Sequence, residues 1–180
     1  MKKRRFKISK RQKEIIKYIG LCVLAVSAIA LPGIAPLLKY FKPKNEYQKK
    51  SFRRSFNDLV NKNIIFLSGE KIKLSKRGTE LYKKYQIEDI KIKKSKKWNG
   101  IWHLVSYDIP EKYKKNRDYF RFVIQKLGFR KIQNSLWVFP WECKEEISII
   151  CQNIGVHPFV VYMNTKEIPN QNKYKTYFNL

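Results

Sequence analysis

The side chains best suited to act on a partner lie between positions 49 and 73. At 100° per residue Lys50, Arg53, Arg54, Asn57 and Asn61 gather on one side of a helix, while Phe52, Phe56, Leu59 and Val60 gather on the other. A guanidinium forks onto the O6 and N7 acceptors of guanine, and a carboxamide pairs with the N6 and N7 edge of adenine. Arg53, Arg54 and Asn57 are therefore candidates for base edges. Lys49 and Lys50, with Lys71 and Lys73 alternating along a strand soon after, suit phosphates. The other reactive types are poorly placed. His103 sits between Trp102 and Leu104 with no Asp or Ser beside it, as expected of a strand histidine whose ring is hydrogen-bonded, and His157 precedes Pro158 in a loop. Cys22, Cys143 and Cys151 are odd in number and widely spaced, without a CxxC pair or a zinc spacing. They predict no disulfide framework, no structural metal, no resident cofactor and a reducing, cytoplasmic setting.

The elements that must position these groups belong to a very basic chain. Its 180 residues hold 40 Lys and Arg against 14 Asp and Glu, for a formal net charge of +26, yet 43% are hydrophobic and 14% aromatic. Such a chain can bury a core, so the charge does not mark it as unfolded. Self-repulsion on this scale points to a polyanion as partner, either nucleic acid or an anionic membrane face. Residues 1–97 carry 28 Lys and Arg against 7 Asp and Glu, a net +21, whereas residues 98–180 carry only +5. The run Lys91, Lys93, Lys94, Lys96, Lys97 marks the border. The organisation expected is a basic tail at 1–9, a first domain at 10–90, a linker at 91–97 and a second domain at 98–180.

In the first domain, Tyr18 to Leu38 carries no charged residue and follows a lysine- and arginine-rich segment. A membrane anchor is thus one alternative, and the weaker one, because Gly20, Pro32, Gly33 and Pro36 divide the stretch. The longest proline-free run, Ile19 to Leu31, has the length of a buried core helix. Ile34 to Phe41 then predicts a short helix and Tyr47 to Lys62 a third, the one bearing Arg53, Arg54 and Asn57. Ile64 to Leu67 and Lys71 to Leu74 read as a hairpin around Ser68-Gly69-Glu70, with Lys71 and Lys73 on its exposed face, and Ser75 caps a last helix to about Tyr85. Three helices followed by a two-stranded hairpin is the order of a winged helix-turn-helix.

The second domain reads strand, helix, strand, strand, helix, strand. Ile101 to Ile109 is apolar on both alternating faces, Lys114 to Leu127 is amphipathic with Gly128 as its stop, and Phe129 to Ile132, Leu136 to Phe139, Lys144 to Asn153 and Phe159 to Met163 complete the series. That βαββαβ order is the ferredoxin-like unit, so the fold class expected is α+β. Its helices would cover one face of an antiparallel sheet. An apolar second face would be buried most economically against a copy of itself, as a homodimer. Trp98, Trp102, Trp137 and Trp141, placed in or beside strands, are expected in the core or a dimer interface.

Several spaced blocks carry a resemblance. Trp98-Asn99-Gly100-Ile101-Trp102, Tyr107-Asp108-Ile109-Pro110-Glu111, Arg117, Leu127-Gly128-Phe129 and Gln133-Asn134-Ser135-Leu136-Trp137-Val138-Phe139-Pro140 resemble the middle domain of PaaX-type transcriptional repressors over about residues 98–165. That domain is itself similar to the small adaptation subunit of CRISPR systems. The resemblance implies a dimeric repressor that binds double-stranded DNA. Its CRISPR side implies an alternative, a metal-dependent endonuclease or a DNA scaffold for an integrase subunit. Under that alternative Asp108 is the catalytic and metal-binding residue, sharing a hydrated Mg²⁺ with its dimer mate. Asp-x-Pro is also a natural turn signal, under which Asp108 only shapes the strand end.

Overall fold

Isoleucines at 15, 16 and 19 form a stripe at helical spacing, and they build the first helix, α1 (Lys10–Ala25), on whose inner side all three are fully buried. This corrects the sequence expectation of an apolar helix from Ile19 to Leu31. The helix starts at Lys10, and the charged Lys13, Glu14 and Lys17 are accommodated because the apolar side chains need only one stripe. Leu31–Pro32 is extended instead: it forms β1, antiparallel to a later strand, with Leu31 opposite Ile72 and Pro32 opposite Lys71. Proline lacks the N–H that an interior strand must donate, and β1 is accordingly an edge. The computed structural model describes residues 7–25, 31–69 and 71–180, so the part of the expected helix at 26–30, the turn residue Glu70 and the tail cluster Lys3-Arg4-Arg5 lie outside the described residues.

The described chain forms two compact units, 1–88 and 89–180. In unit 1, α1 is followed by β1, α2 (Ala35–Phe41), α3 (Glu46–Asn61), β2 (Ile65–Ser68), β3 (Lys71–Leu74) and α4 (Lys76–Asp89). The strands form a sheet in the order β1-β3-β2. Its core joins Ile15, Ile16 and Ile19 to Leu37, Phe52, Phe56, Leu59, Ile64, Ile65, Ile72, Tyr82 and Tyr85. Two glycines are demanded by close approach. A Cβ on Gly20 of α1 would stand 2.3 Å from the Tyr82 ring of α4, and one on Gly78 would stand 2.2 Å from the Ile64 carbonyl oxygen. Among the described residues no helix is long and apolar enough to cross a membrane.

Unit 2 contains β4 (Trp102–Tyr107), α5 (Lys114–Lys126), β5 (Arg130–Gln133), β6 (Leu136–Phe139), α6 (Lys144–Ile154), β7 (Val160–Thr165) and α7 (Gln171–Phe178). Its sheet runs β5-β6-β4-β7 with every neighbouring pair antiparallel. The chain is thus α+β. On one face of the sheet Val105 and Tyr107 are buried, and Tyr107 meets Phe120 of α5 edge-on at 5.5 Å. On the other face, α7 brings Tyr174 and Phe178 onto Trp102 and Val138. The sequence reading contained no α7 and left that whole face to a second copy. The helix covers the Trp102 end, while Val161 and Met163, opposite Ser106 and Leu104 in the register, stay 56% and 41% exposed.

Candidate nucleic-acid interface

The orientation of α3 is fixed at both ends by side chains its sequence supplies. Asn45 caps the helix, its Oδ1 accepting the Gln48 N–H at 2.9 Å, while Gln48 Oε1 accepts the Lys44 N–H at 2.8 Å. At the far end Asn63 takes a left-handed conformation (φ 52°), and the Ile64 N–H returns to the Leu59 carbonyl at 2.9 Å. Ser75 ties the hairpin to this corner by donating to the Asn63 carbonyl at 2.8 Å and accepting the Gly78 N–H at 3.0 Å. A third brace comes from α1, where Gln12, only 5% exposed, donates to Asp58. With Phe52, Phe56 and Leu59 buried, the apolar side of the helix sets which side faces outward.

That constraint turns the opposite side outward. Lys49, Lys50, Arg53, Arg54, Asn57 and Asn61 are all exposed. They differ in how far they are already engaged. Lys49 pairs with Glu46 at 2.7 Å, and its hydrogen bond and charge hold the Glu46 carboxyl below the usual carboxylate range. Lys50, Arg53 and Arg54 make no salt bridge among the described residues. Arg53 and Asn57, one helical turn apart, border a cleft of about 340 Å³ between α3 and the hairpin, with Phe56, Leu67 and Ile72 among its other walls. Lys71 is exposed on the hairpin. Lys73, expected on its exposed face, is half-buried, because it pairs opposite Phe66 and that ring shares its side of the ribbon. Sequence reasoning missed Phe66 and Leu67, which are 44% and 56% exposed beside these cations. The sequence reading placed both in a strand without assigning them a side, and their exposure is seen only in the folded unit.

The polar chemistry of unit 2 is turned inward. His103 is 2% exposed; its Nδ1 lies 2.7 Å from the Tyr162 hydroxyl and 2.9 Å from Asn164 Oδ1. Tyr162 donates to Glu142 at 3.0 Å. Burial works against the Glu142 carboxylate, but the Lys144 N–H and the Tyr162 hydroxyl outweigh it and leave the carboxyl below its usual range. Burial pushes the Tyr162 hydroxyl far up and the Cys143 thiol up to about 12, so Tyr162 stays protonated and Cys143 is no nucleophile at neutral pH. His103 Nε2 is buried and has no hydrogen-bond partner among the described residues.

Asp108 is exposed just past β4, and its N–H donates to the Phe159 carbonyl at 2.9 Å. Glu111, the acid nearest along the chain, is taken by Arg117 at 2.7 Å and by Lys114 at 3.5 Å. Among the described residues no three His, Cys, Asp or Glu side chains gather as a metal-holding group. The described donors of one chain therefore do not by themselves gather around Asp108 as a metal-holding group.

No curated protein matches the chain. Residues 95–176, the greater part of unit 2, match the family model of the PaaX protein central Cas2-like domain, and this similarity supports a PaaX-like family for the chain and fits a PaaX-like regulator.

Proposed function

We propose that this chain is a cytoplasmic, homodimeric regulator of transcription that binds double-stranded DNA through unit 1 and pairs with a second copy through unit 2. The observation that carries the reading is the outer face of α3: a helix oriented by its buried side turns to solvent two arginines that form no ion pair among the described residues, and an exposed asparagine. Three helices and the β2–β3 hairpin follow the order of a winged helix-turn-helix, in which this third helix enters the major groove. On that reading Arg53, Arg54 and Asn57 meet base edges, and Lys49, Lys50, Lys71 and Lys73 meet phosphates. Lys49 must exchange Glu46 for a phosphate, and Lys73 contributes least because it is half-buried.

The antiparallel order β5-β6-β4-β7 with two covering helices supports a ferredoxin-like pairing unit. The partly open sheet face carrying Leu104, Leu136, Val161 and Met163 is the part left for a second copy. Two readers held at a fixed separation would favour a two-fold symmetric site. Selection from a pool of random duplexes tests this: a two-fold symmetric consensus is expected, bound by a chain that sediments as a dimer. Failure to retain any duplex at low salt overturns the reading.

A further inference from the structure

The lysine run at 91–97 looks, in the sequence, like solvated spacer. Its surroundings in unit 2 are more specific. Residues 90–101 have no helix or strand, yet the segment is pinned at two points. The Trp141 indole N–H donates to the Ser95 carbonyl at 3.2 Å, and the same ring, packed edge-on against Phe139 at 5.3 Å and Phe178 at 6.2 Å, lies under the Lys94 ammonium at 5.2 Å. Trp98 donates to the Ile101 carbonyl at 3.0 Å and packs on the fully buried Trp102 at 4.6 Å, with the Lys175 ammonium of α7 over its ring at 5.6 Å.

Lys91, Lys93, Lys94, Lys96 and Lys97 are all exposed, and none makes a salt bridge among the described residues. Carboxylates are close: Glu142, Glu145 and Glu146 line a cleft of about 720 Å³ with Lys93, Lys97 and Lys144. Glu142, however, is engaged by Tyr162 and the Lys144 N–H, and Glu145 and Glu146 occupy the first turn of α6, where the helix dipole favours them. The segment is held in place, and its lysines form no ion pair among the described residues.

We propose that this pinned segment is a second DNA contact, in which Lys93, Lys94, Lys96 and Lys97 bind the phosphodiester backbone of the duplex that α3 reads. The inference rests on the reading of unit 1 as a DNA reader and adds to it a phosphate site borne by unit 2. Two physical arguments support it. A backbone already fixed at Ser95 and Trp98 loses less conformational entropy on binding than a free tail would. Each ammonium placed on a phosphate also releases condensed counterions, so the contact adds affinity without demanding a sequence.

The test compares three full-length chains on one fluorescent duplex across a salt series: native, Lys93→Ala/Lys94→Ala/Lys96→Ala/Lys97→Ala, and a charge-matched control, Lys112→Ala/Lys115→Ala/Lys126→Ala/Lys131→Ala. At about 0.9 per phosphate contacted, the linker variant is expected to make the log–log salt slope shallower by about 2 to 4 and to weaken binding at least about tenfold, with the control near native. Trp141→Ala, which leaves the charge unchanged, is expected to weaken binding by a smaller factor while melting still shows a folded unit 2. Equal changes in the linker variant and the control would assign the effect to net charge and overturn the proposal while the reader stands. Loss of binding to phosphatidylserine vesicles with duplex binding intact would make the segment a membrane contact and overturn it equally. Absence of duplex binding by the native chain would remove the reader itself.

Discussion

The two units use the same kinds of side chain in opposite directions. In unit 1 the polar and cationic groups of α3 face solvent, and apolar Phe52, Phe56 and Leu59 hold the helix that presents them. In unit 2 the groups with the most chemical character, His103, Tyr162 and Cys143, face one another under the surface, and burial suppresses the acidity of the Tyr162 and Cys143 protons. Phe66 sits exposed beside the cations of unit 1, whereas Trp98, Trp102, Tyr174 and Phe178 form one packed cluster in unit 2. The difference teaches that residue type does not locate a binding surface. What locates it is a polar face that the packing behind it leaves no alternative but to expose.

The largest effect is expected at Trp102. Removing this fully buried ring, central to the aromatic cluster, is expected to cost about 3–5 kcal/mol. In Trp102→Ala, calorimetry should show the transition of unit 2 lowered and that of unit 1 in place. One merged transition that shifts as a whole would mean that the two do not unfold separately. Gly20→Ala is the counterpart in unit 1. Its methyl would stand 2.3 Å from the Tyr82 ring, and such overpacking costs about 1–3 kcal/mol. Here the unit 1 transition should fall and duplex binding weaken with it, because α1 braces α3 through Gln12 and Asp58.

Asp58 makes the stability of unit 1 depend on pH. Hydrogen bonds from Lys62 and then Gln12 hold its carboxyl below the ordinary range in the folded chain. A group whose pKa is lowered by folding stabilises above its unfolded value and loses that contribution as pH falls through its folded value. Unit 1 should therefore lose stability below the ordinary carboxylate range. Asp58→Asn should be less stable than native at neutral pH and show a flatter acid profile in thermal melts; identical profiles would remove Asp58 as the brace. The smallest effect is expected at Asp108. Exposed and outside any metal-holding group among the described residues, it should leave duplex binding unchanged in Asp108→Ala, and neither chain should cleave RNA or duplex DNA with Mg²⁺. Cleavage by the native chain that the variant loses would restore the nuclease alternative.

How much of this could be read beforehand depended on the range of the interactions. The faces of α3 were legible because 3.6-residue periodicity is local, and so were the Ser75 cap and the stop at Gly128, whose φ is +99°. The start of α1 was missed because the uncharged stretch from Tyr18 drew attention from the isoleucines that the fold uses. The strand at Leu31–Pro32 depends on pairing with Lys71 and Ile72, a contact no local pattern announces. His103 is the hydrogen-bonded strand histidine the sequence predicts, but its partners Tyr162 and Asn164 follow only from the β4–β7 register. α7 did leave a signal: Tyr174, Tyr177 and Phe178 stand three and four residues apart, the spacing of one helical face.

The central claim, that the outer face of α3 is the reader, is tested most directly by titrating the native chain and Arg53→Ala/Arg54→Ala/Asn57→Ala against a selected duplex and an unrelated one. Since each good base contact is worth about 1–3 kcal/mol of discrimination, the account predicts that the native chain prefers its selected site by roughly a hundredfold or more. The triple variant, still folded by circular dichroism, should bind both duplexes about equally. A variant that keeps the native preference would contradict the account, because the sequence would then be read elsewhere.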